Sequence, residues 1–270
     1  MQPNKRENNE SPGRTIGRHI VALAFRQRCP AETYGTATDT FNSSLITCFV
    51  ISIGGDWYLV TVGHALDGIR QAIDAKAEFP VWRILDCAGG EATYTDLPPF
   101  APFNGSADLY IFQNGKDFAF IKVPDNARTL MSANSVYPIP EESIFATIPV
   151  DTVDSLVIGF PLDLVDFYWN RDSLKVELTS IALLNVRQPS GRTDLLEAEL
   201  YDFRQHNDNL SSIVGMSGGP WIQYWQDGAT GLIAYKPVAI QSSWEPQTMT
   251  ATAYSLTEAV QHFKQWLASQ

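Results

Sequence analysis

The sequence predicts an all-β protein closed by a single C-terminal helix. Two observations carry this. About a dozen short runs rich in Val, Ile, Thr and aromatic residues are punctuated by Gly, Pro, Asn and Asp and fall into two groups, a pattern of barrels or sandwiches. The last residues change period. Ser255-Leu256-Thr257-Glu258 has the form of a capping box, and Leu256, Ala259, Val260, Phe263, Trp266 and Leu267 then recur at helical spacing.

Taken in order, residues 1–15 are polar and poor in large apolar groups, and are expected to be a disordered tail. Ile16 to Phe25 reads as the first strand. Leu45 to Ile53 and Trp57 to Val62 read as a hairpin joined by Gly54-Gly55-Asp56, where glycine can take positive φ. Leu66, Ile69 and Ile73 suit a short helix. Phe79 to Leu85 is a strand, and 88–106, with Gly89-Gly90, Pro98-Pro99 and Asn104-Gly105, reads as a long loop. Asp108 to Phe112 and Asp117 to Val123 follow as strands. Residues 125–150 are turn-rich and read as a linker. Then come strands at Ser155 to Phe160, Lys175 to Asn185, Asp194 to Asp202, Trp221 to Trp225, Gly231 to Ala234, Pro237 to Trp244 and Ala251 to Ser255. The resulting division is 1–15 tail, 16–124 first β-unit, 125–150 linker, 151–254 second β-unit and 255–270 helix.

Composition narrows the function classes. The chain carries 30 acidic against 19 basic residues, a net charge of −11, which argues against nucleic acid or an anionic membrane as partner. No run of 18 apolar residues is present, so no spanning helix is expected. The opening residues lack an apolar h-region, so a secretory signal is not expected. Cys29, Cys48 and Cys87 are an odd, sparse set, which suits reduced thiols and a cytoplasmic location. No spacing of His and Cys suggests a metal, and no cofactor motif is present.

The chemistry concentrates at Gly215-Met216-Ser217-Gly218-Gly219-Pro220. Serine is a weak nucleophile until a base is held beside it. Glycines around it allow a tight turn that can aim several backbone N–H groups into one space. Of the four histidines, His64 closes an apolar strand after Gly63. His19 lies near the polar start, His206 in a polar segment, and His262 on the exposed side of the last helix. Asp117 opens an apolar strand with Ala119 two positions on. Asp108 opens another and is a rival; Asp117 is preferred for its longer strand and small-residue spacing.

Together Thr61-Val62-Gly63-His64-Ala65, Asp117-Phe118-Ala119-Phe120 and Gly215-Met216-Ser217-Gly218-Gly219-Pro220 resemble the histidine, aspartate and serine segments of the trypsin-like (chymotrypsin-fold) serine proteases. They occur in that family's order, 53 residues (117 − 64) and 100 residues (217 − 117) apart. The resemblance spans about residues 16–268 and implies two six-stranded antiparallel β-barrels. It implies that Ser217 attacks the scissile carbonyl, His64 carries the proton and Asp117 orients the imidazole, with Gly215 and Ser217 N–H groups as the oxyanion hole. It places Ser211 and Ser212 at the base of a specificity pocket. Ser243 and Trp244 fall at the end of the strand that binds substrate backbone. No carboxylate stands at Ser211, so a preference for Lys or Arg is not expected.

Two departures stand out. Ala65 occupies the place of a cysteine that secreted members pair with one on the preceding strand, where Cys48 lies. Met216 occupies the place of an aspartate that zymogen-activated members pair with a new N-terminus. The expectation is a serine endopeptidase acting on protein or peptide substrates, without metal, controlled by a partner protein if at all. The alternatives are a catalytically silent peptide- or protein-binding module and an esterase.

Overall fold

The computed structural model describes residues 12–86, 93–96, 109–112, 115–148, 153–168, 173–205, 208–228 and 230–270. Asp108, His206, Cys87 and most of the expected tail lie outside these residues. The first half runs α1 (Pro12–Gly17), β1 (Ile20–Cys29), α2 (Ala31–Tyr34), β2 (Thr40–Ile53), β3 (Asp56–Thr61), α3 (Gly63–Asp74), β4 (Glu78–Asp86), β5 (Thr93–Asp96), β6 (Leu109–Ile111) and β7 (Ala119–Lys122). These strands pair in the order β5-β4-β1-β2-β3-β7-β6. The Gly54-Gly55 turn between β2 and β3 has φ of 60° and 88°, a conformation that favours glycine at both positions.

The alternation of side chains along β1 and β2 explains their largely apolar runs. Ile20, Ala22 and Ala24 face one core, while Val21, Leu23 and Phe25 face another. On β2, Leu45, Phe49, Ile51 and Ile53 face the first core, while Ile46, Cys48 and Val50 face the second. A strand buried on both faces favours apolar residues at successive positions, with a polar one only where its hydrogen bonds are met. The second core is internal to the first half. The first core is shared with the other half, through Ile158, Phe160, Ile222 and Ile240, and with the C-terminal helix.

Residues 125–150 are more ordered than a turn-rich linker. They hold α4 (Asp125–Ala133), the two-residue strand β8 (Ile139–Pro140), parallel to β2, and α5 (Glu141–Phe145). Pro124 and Pro140 precede these helices at positions where a missing N–H costs nothing. Ala127 and Met131 bury one face of α4.

The second half runs β9 (Asp154–Gly159), β10 (Val165–Tyr168), β11 (Ser173–Val176), β12 (Thr179–Arg187), β13 (Leu195–Leu200), β14 (Pro220–Gln226), β15 (Ile233–Glu245), β16 (Thr250–Ser255) and α6 (Leu256–Leu267). It closes into a six-stranded antiparallel barrel, β12-β13-β16-β15-β14-β9. Its own core includes Val157, Ile181, Ala198, Met216, Trp221 and Ala239. The all-β class, the barrel and the helix agree with the sequence. The first half differs: among the described residues its strands form an eight-stranded sheet that does not close, where a six-stranded barrel was expected; β5 lies within the expected loop 88–106, and β8 adds a short parallel strand.

The capping box forms, with Ser255 Oγ accepting from the Glu258 N–H at 3.4 Å. The helix lays aromatic side chains on β6 and β7 of the first half. Phe263 stacks on Phe120 at 4.3 Å, and Trp266 lies 4.9 Å from Tyr110. Such pairs contribute about 0.5–1.5 kcal/mol each beyond area burial. Among the described residues no helix is long and apolar enough to cross a membrane.

Candidate active site

β-pairing brings the first two candidates together. β3 and β7 are antiparallel, and their last partners are Thr61 and Ala119. Continuing that register places Gly63 opposite Asp117. Gly63 permits the approach, since a Cβ there would lie 3.3 Å from the Phe118 carbonyl and 3.4 Å from Asp117 Oδ1. The chain then turns into α3, which holds His64 in its first turn.

Asp117 grips His64 twice. Oδ1 accepts from the His64 backbone N–H at 2.8 Å, and Oδ2 lies 2.6 Å from Nδ1. An ionised carboxylate can only accept, so Nδ1 carries the proton and Nε2 is left with its lone pair. The hydrogen bond to Asp117 raises the His64 pKa above its ordinary value, against the opposing effect of burial. Burial pushes the Asp117 carboxyl up, yet hydrogen bonds from the His64 ring, Ser242 and the His64 N–H bring it below the usual value. A proton shared this way keeps the aspartate charged and the imidazole oriented.

The serine comes from the other half. Gly218 N–H donates to the Gln241 carbonyl at 2.7 Å, and Gln241 N–H donates to the Gly219 carbonyl at 2.8 Å. These bonds lay the turn against β15. β15 shifts register between Gln241 and Ser243 where it pairs with β16. Such a bulge re-aims the skipped residue, here Ser242. Its hydroxyl donates to Asp117 Oδ2 at 2.6 Å, and its carbonyl accepts from Ser217 Oγ at 3.1 Å. One residue therefore links Ser217 to Asp117 and His64. The sequence pointed to Ser243, one position beyond it. The only signal was a Ser-Ser pair ending an apolar strand.

The turn itself needs its glycines. Gly215 and Gly218 have φ of 97° and 90°. A Cβ on Gly215 would lie 2.6 Å from the Phe160 carbonyl, and one on Gly218 would collide with Thr61 Oγ1 and the Thr47 carbonyl. Within the turn Met216, Gly218 and Gly219 N–H groups donate to carbonyls. Among the described residues, those of Gly215 and Ser217 have no protein acceptor.

The expected substrate contacts are placed as follows. Ser211 N–H, Ser211 Oγ and Ser212 N–H all donate to Asp163 Oδ2, at 2.8, 2.8 and 2.9 Å. The sequence showed no carboxylate here, because Asp163 lies 48 residues away. Hydrogen bonds from Ser211 and Ser212 outweigh the effect of burial and lower its pKa. Ser243 is exposed and its carbonyl accepts from Gln241 Nε2 at 2.8 Å. Trp244 is half-buried, with Phe203 beside it and the Arg204 guanidinium 5.9 Å from its ring. β14 pairs with β15 only as far as Pro220 and Ile240. Among the described residues, Ser243, Trp244 and Glu245 thus pair with β16 on one side only.

The other described histidines are structural, and less exposed than expected. His19 is buried, its Nδ1 2.6 Å from the Tyr137 carbonyl and its Nε2 2.5 Å from the Tyr235 hydroxyl. Burial lowers its pKa to about 4. His262 is half-buried, 2.7 Å from Lys116 Nζ, with its ring against Phe112. Cys29 and Cys48 are buried free thiols, and burial pushes Cys48 up to about 12. Among the described residues no cluster of His, Cys, Asp and Glu could hold a metal.

Fold and site thus define an all-β protein that gathers an aspartate, a histidine and a serine where its halves meet. No protein-family model matches the chain, and no curated protein matches it. Solved structures similar to it include Rv3671c from M. tuberculosis, at 15% identity over 100% of this chain and 97% of that one, with a TM-score of 0.45. A Glu endopeptidase matches at 15% identity over 97% and 95%, with a TM-score of 0.46. A thermostable serine protease, AL20, from an extremophilic microorganism matches at 13% over 88% and 90%, with a TM-score of 0.41.

Proposed function

We propose that the protein is a serine endopeptidase that cleaves peptide bonds through an acyl-enzyme on Ser217. The observation that carries this is the chain of hydrogen bonds from Ser217 through Ser242 to Asp117 and His64. His64 Nε2, with its lone pair, takes the Ser217 proton as Oγ attacks the carbonyl, then returns it to the leaving amine. Asp117 holds the Nδ1–H tautomer and stabilises the imidazolium. The N–H groups of Gly215 and Ser217 receive the oxyanion, a contribution worth about 10²–10³ in kcat per donor. A peptide strand adds to the one-sided edge at Ser243 and Trp244, where backbone pairing supplies affinity without dictating sequence. The cytoplasm is the location that fits the reduced thiols.

One observation favours a second reading, a silent peptide-binding module: the Ser217 hydroxyl donates to the Ser242 carbonyl. Catalytic hydrogen bonds are commonly loose until substrate arrives, so the peptidase is preferred. Incubating wild type and Ser217→Ala with a peptide library separates the two. The peptidase cuts peptides and the variant does not. A wild type that binds peptides and cuts none is the module.

A further inference from the structure

Met216 leaves the nucleophile turn without a charged latch, so something else must hold its shape. Each trans peptide is rigid, and fixing its carbonyl fixes the N–H on the opposite side. The Val214 carbonyl accepts from Leu162 N–H at 2.7 Å, and the Met216 carbonyl accepts from Gly219 N–H at 2.9 Å. These bonds orient the Gly215 and Ser217 N–H groups. The peptide between them starts at Gly215, a glycine at φ 97°, and its N–H, that of Met216, is held from within the turn by the Ile213 carbonyl at 3.0 Å. Its carbonyl accepts from Thr47 Oγ1 at 2.7 Å.

Thr47 belongs to β2, in the other half. It is fully buried, and is the one polar residue in the series Leu45, Thr47, Phe49, Ile51, Ile53 on the face that meets the second half. Its hydroxyl also accepts from Phe160 N–H at 3.0 Å, which directs its own hydrogen at Gly215. Its carbonyl accepts from Thr61 Oγ1 at 2.9 Å, tying it to the strand that leads to His64. A buried hydroxyl with both capacities used has one orientation.

We infer that Thr47 is a positioning residue. It holds the oxyanion turn in working shape and makes the competence of Ser217 depend on the docked first half. This rests on the peptidase reading. Thr47→Val keeps the shape and removes the hydroxyl; Thr47→Ser keeps the hydroxyl. Thr47→Cys, which fills the site but donates weakly, stands in should the valine variant not fold. On a cleavable peptide the valine variant loses about 10- to 100-fold in kcat with KM within about threefold, short of losing a donor outright. Serine restores kcat to within about threefold of wild type, and cysteine falls between. Amide hydrogen exchange of residues 213–219 is measured alongside and rises at least about tenfold in Thr47→Val but not in Thr47→Ser. If wild type cuts peptides and Thr47→Val has an unchanged kcat, the inference is overturned and the peptidase stands. If wild type cuts nothing, the peptidase reading falls and exchange alone decides. Faster exchange only in the valine and cysteine variants supports Thr47, and equal exchange in all overturns it.

Discussion

Replacing Asp117 with asparagine removes one charge and leaves the shape. Asp117 accepts three hydrogen bonds, from His64 N–H, His64 Nδ1–H and Ser242 Oγ–H. An asparagine oxygen can keep the backbone bond, but its NH2 then faces two donors. The imidazole is left to adopt the tautomer with its proton on Nε2, which cannot accept from Ser217. In this kind of triad the wrong tautomer costs about 10⁴ in kcat, or about 5 kcal/mol of transition-state stabilisation. The half-buried carboxylate is exchanged for a neutral group of the same size, so the melting temperature moves by less than about 5 °C. A second consequence tests the electrostatics. The proposed mechanism needs neutral His64, whose pKa Asp117 raises. The acid limb of kcat/KM in wild type therefore has its midpoint above the ordinary 6.5. In Asp117→Asn it moves to lower pH. The assay is kcat/KM from pH 5 to 9 for both proteins. An asparagine variant retaining more than about a tenth of the activity, with an unmoved acid limb, refutes the assignment. Asp108→Asn is the control and leaves kcat/KM within about threefold.

Ser242→Ala removes one of the three donors to Asp117 and lowers kcat about tenfold, consistent with a charge-assisted bond of about 1.5–3 kcal/mol partly replaced by water; steady-state kinetics checks it. His19 makes stability depend on pH. Its folded pKa, about 4, lies below the ordinary 6.5 of histidine, so the unfolded chain binds the proton first as pH falls. Its contribution is complete above pH 6.5 and is lost between 6.5 and 4, about 3 kcal/mol in all. Urea unfolding at pH 7 and 4.5 shows a smaller difference in His19→Gln than in wild type. Gly218→Ala places a Cβ against Thr61 and the Thr47 carbonyl at positive φ, and lowers stability by about 3 kcal/mol or more, read by thermal unfolding. Chelators leave activity unchanged, as proton transfer between Ser217 and His64 uses no metal.

The sequence disclosed those features whose cause is local. The Gly54-Gly55 turn, the capping box at Ser255 and the two-faced apolar runs of β1 and β2 each follow from residues a few positions apart. The segments of His64, Asp117 and Ser217, which Ser242 links in the structure, could be singled out because each is short and has its own steric demands. What was hidden depends on distant pairing. Ser242 works because of a bulge, and the register shift between Gln241 and Ser243 that makes it carries no composition signal. Asp163 meets Ser211 and Ser212 only because the turn at Leu162–Leu164 lies against Ser211–Val214. His19 looked frayed because its partners, the Tyr137 carbonyl and Tyr235, lie 118 and 216 residues away. Helix α4 was read as turns because only Ala127 and Met131 mark its buried face, too few for a clear period.

The most direct test is covalent. Wild type is treated with a fluorophosphonate at pH 8, and the adduct is located by peptide mass spectrometry. One equivalent of phosphonate on Ser217, lost in Ser217→Ala and slowed by several orders of magnitude in His64→Ala, is the predicted result. An unlabelled Ser217 in the folded wild type, or labelling as fast without His64, contradicts the proposed chemistry.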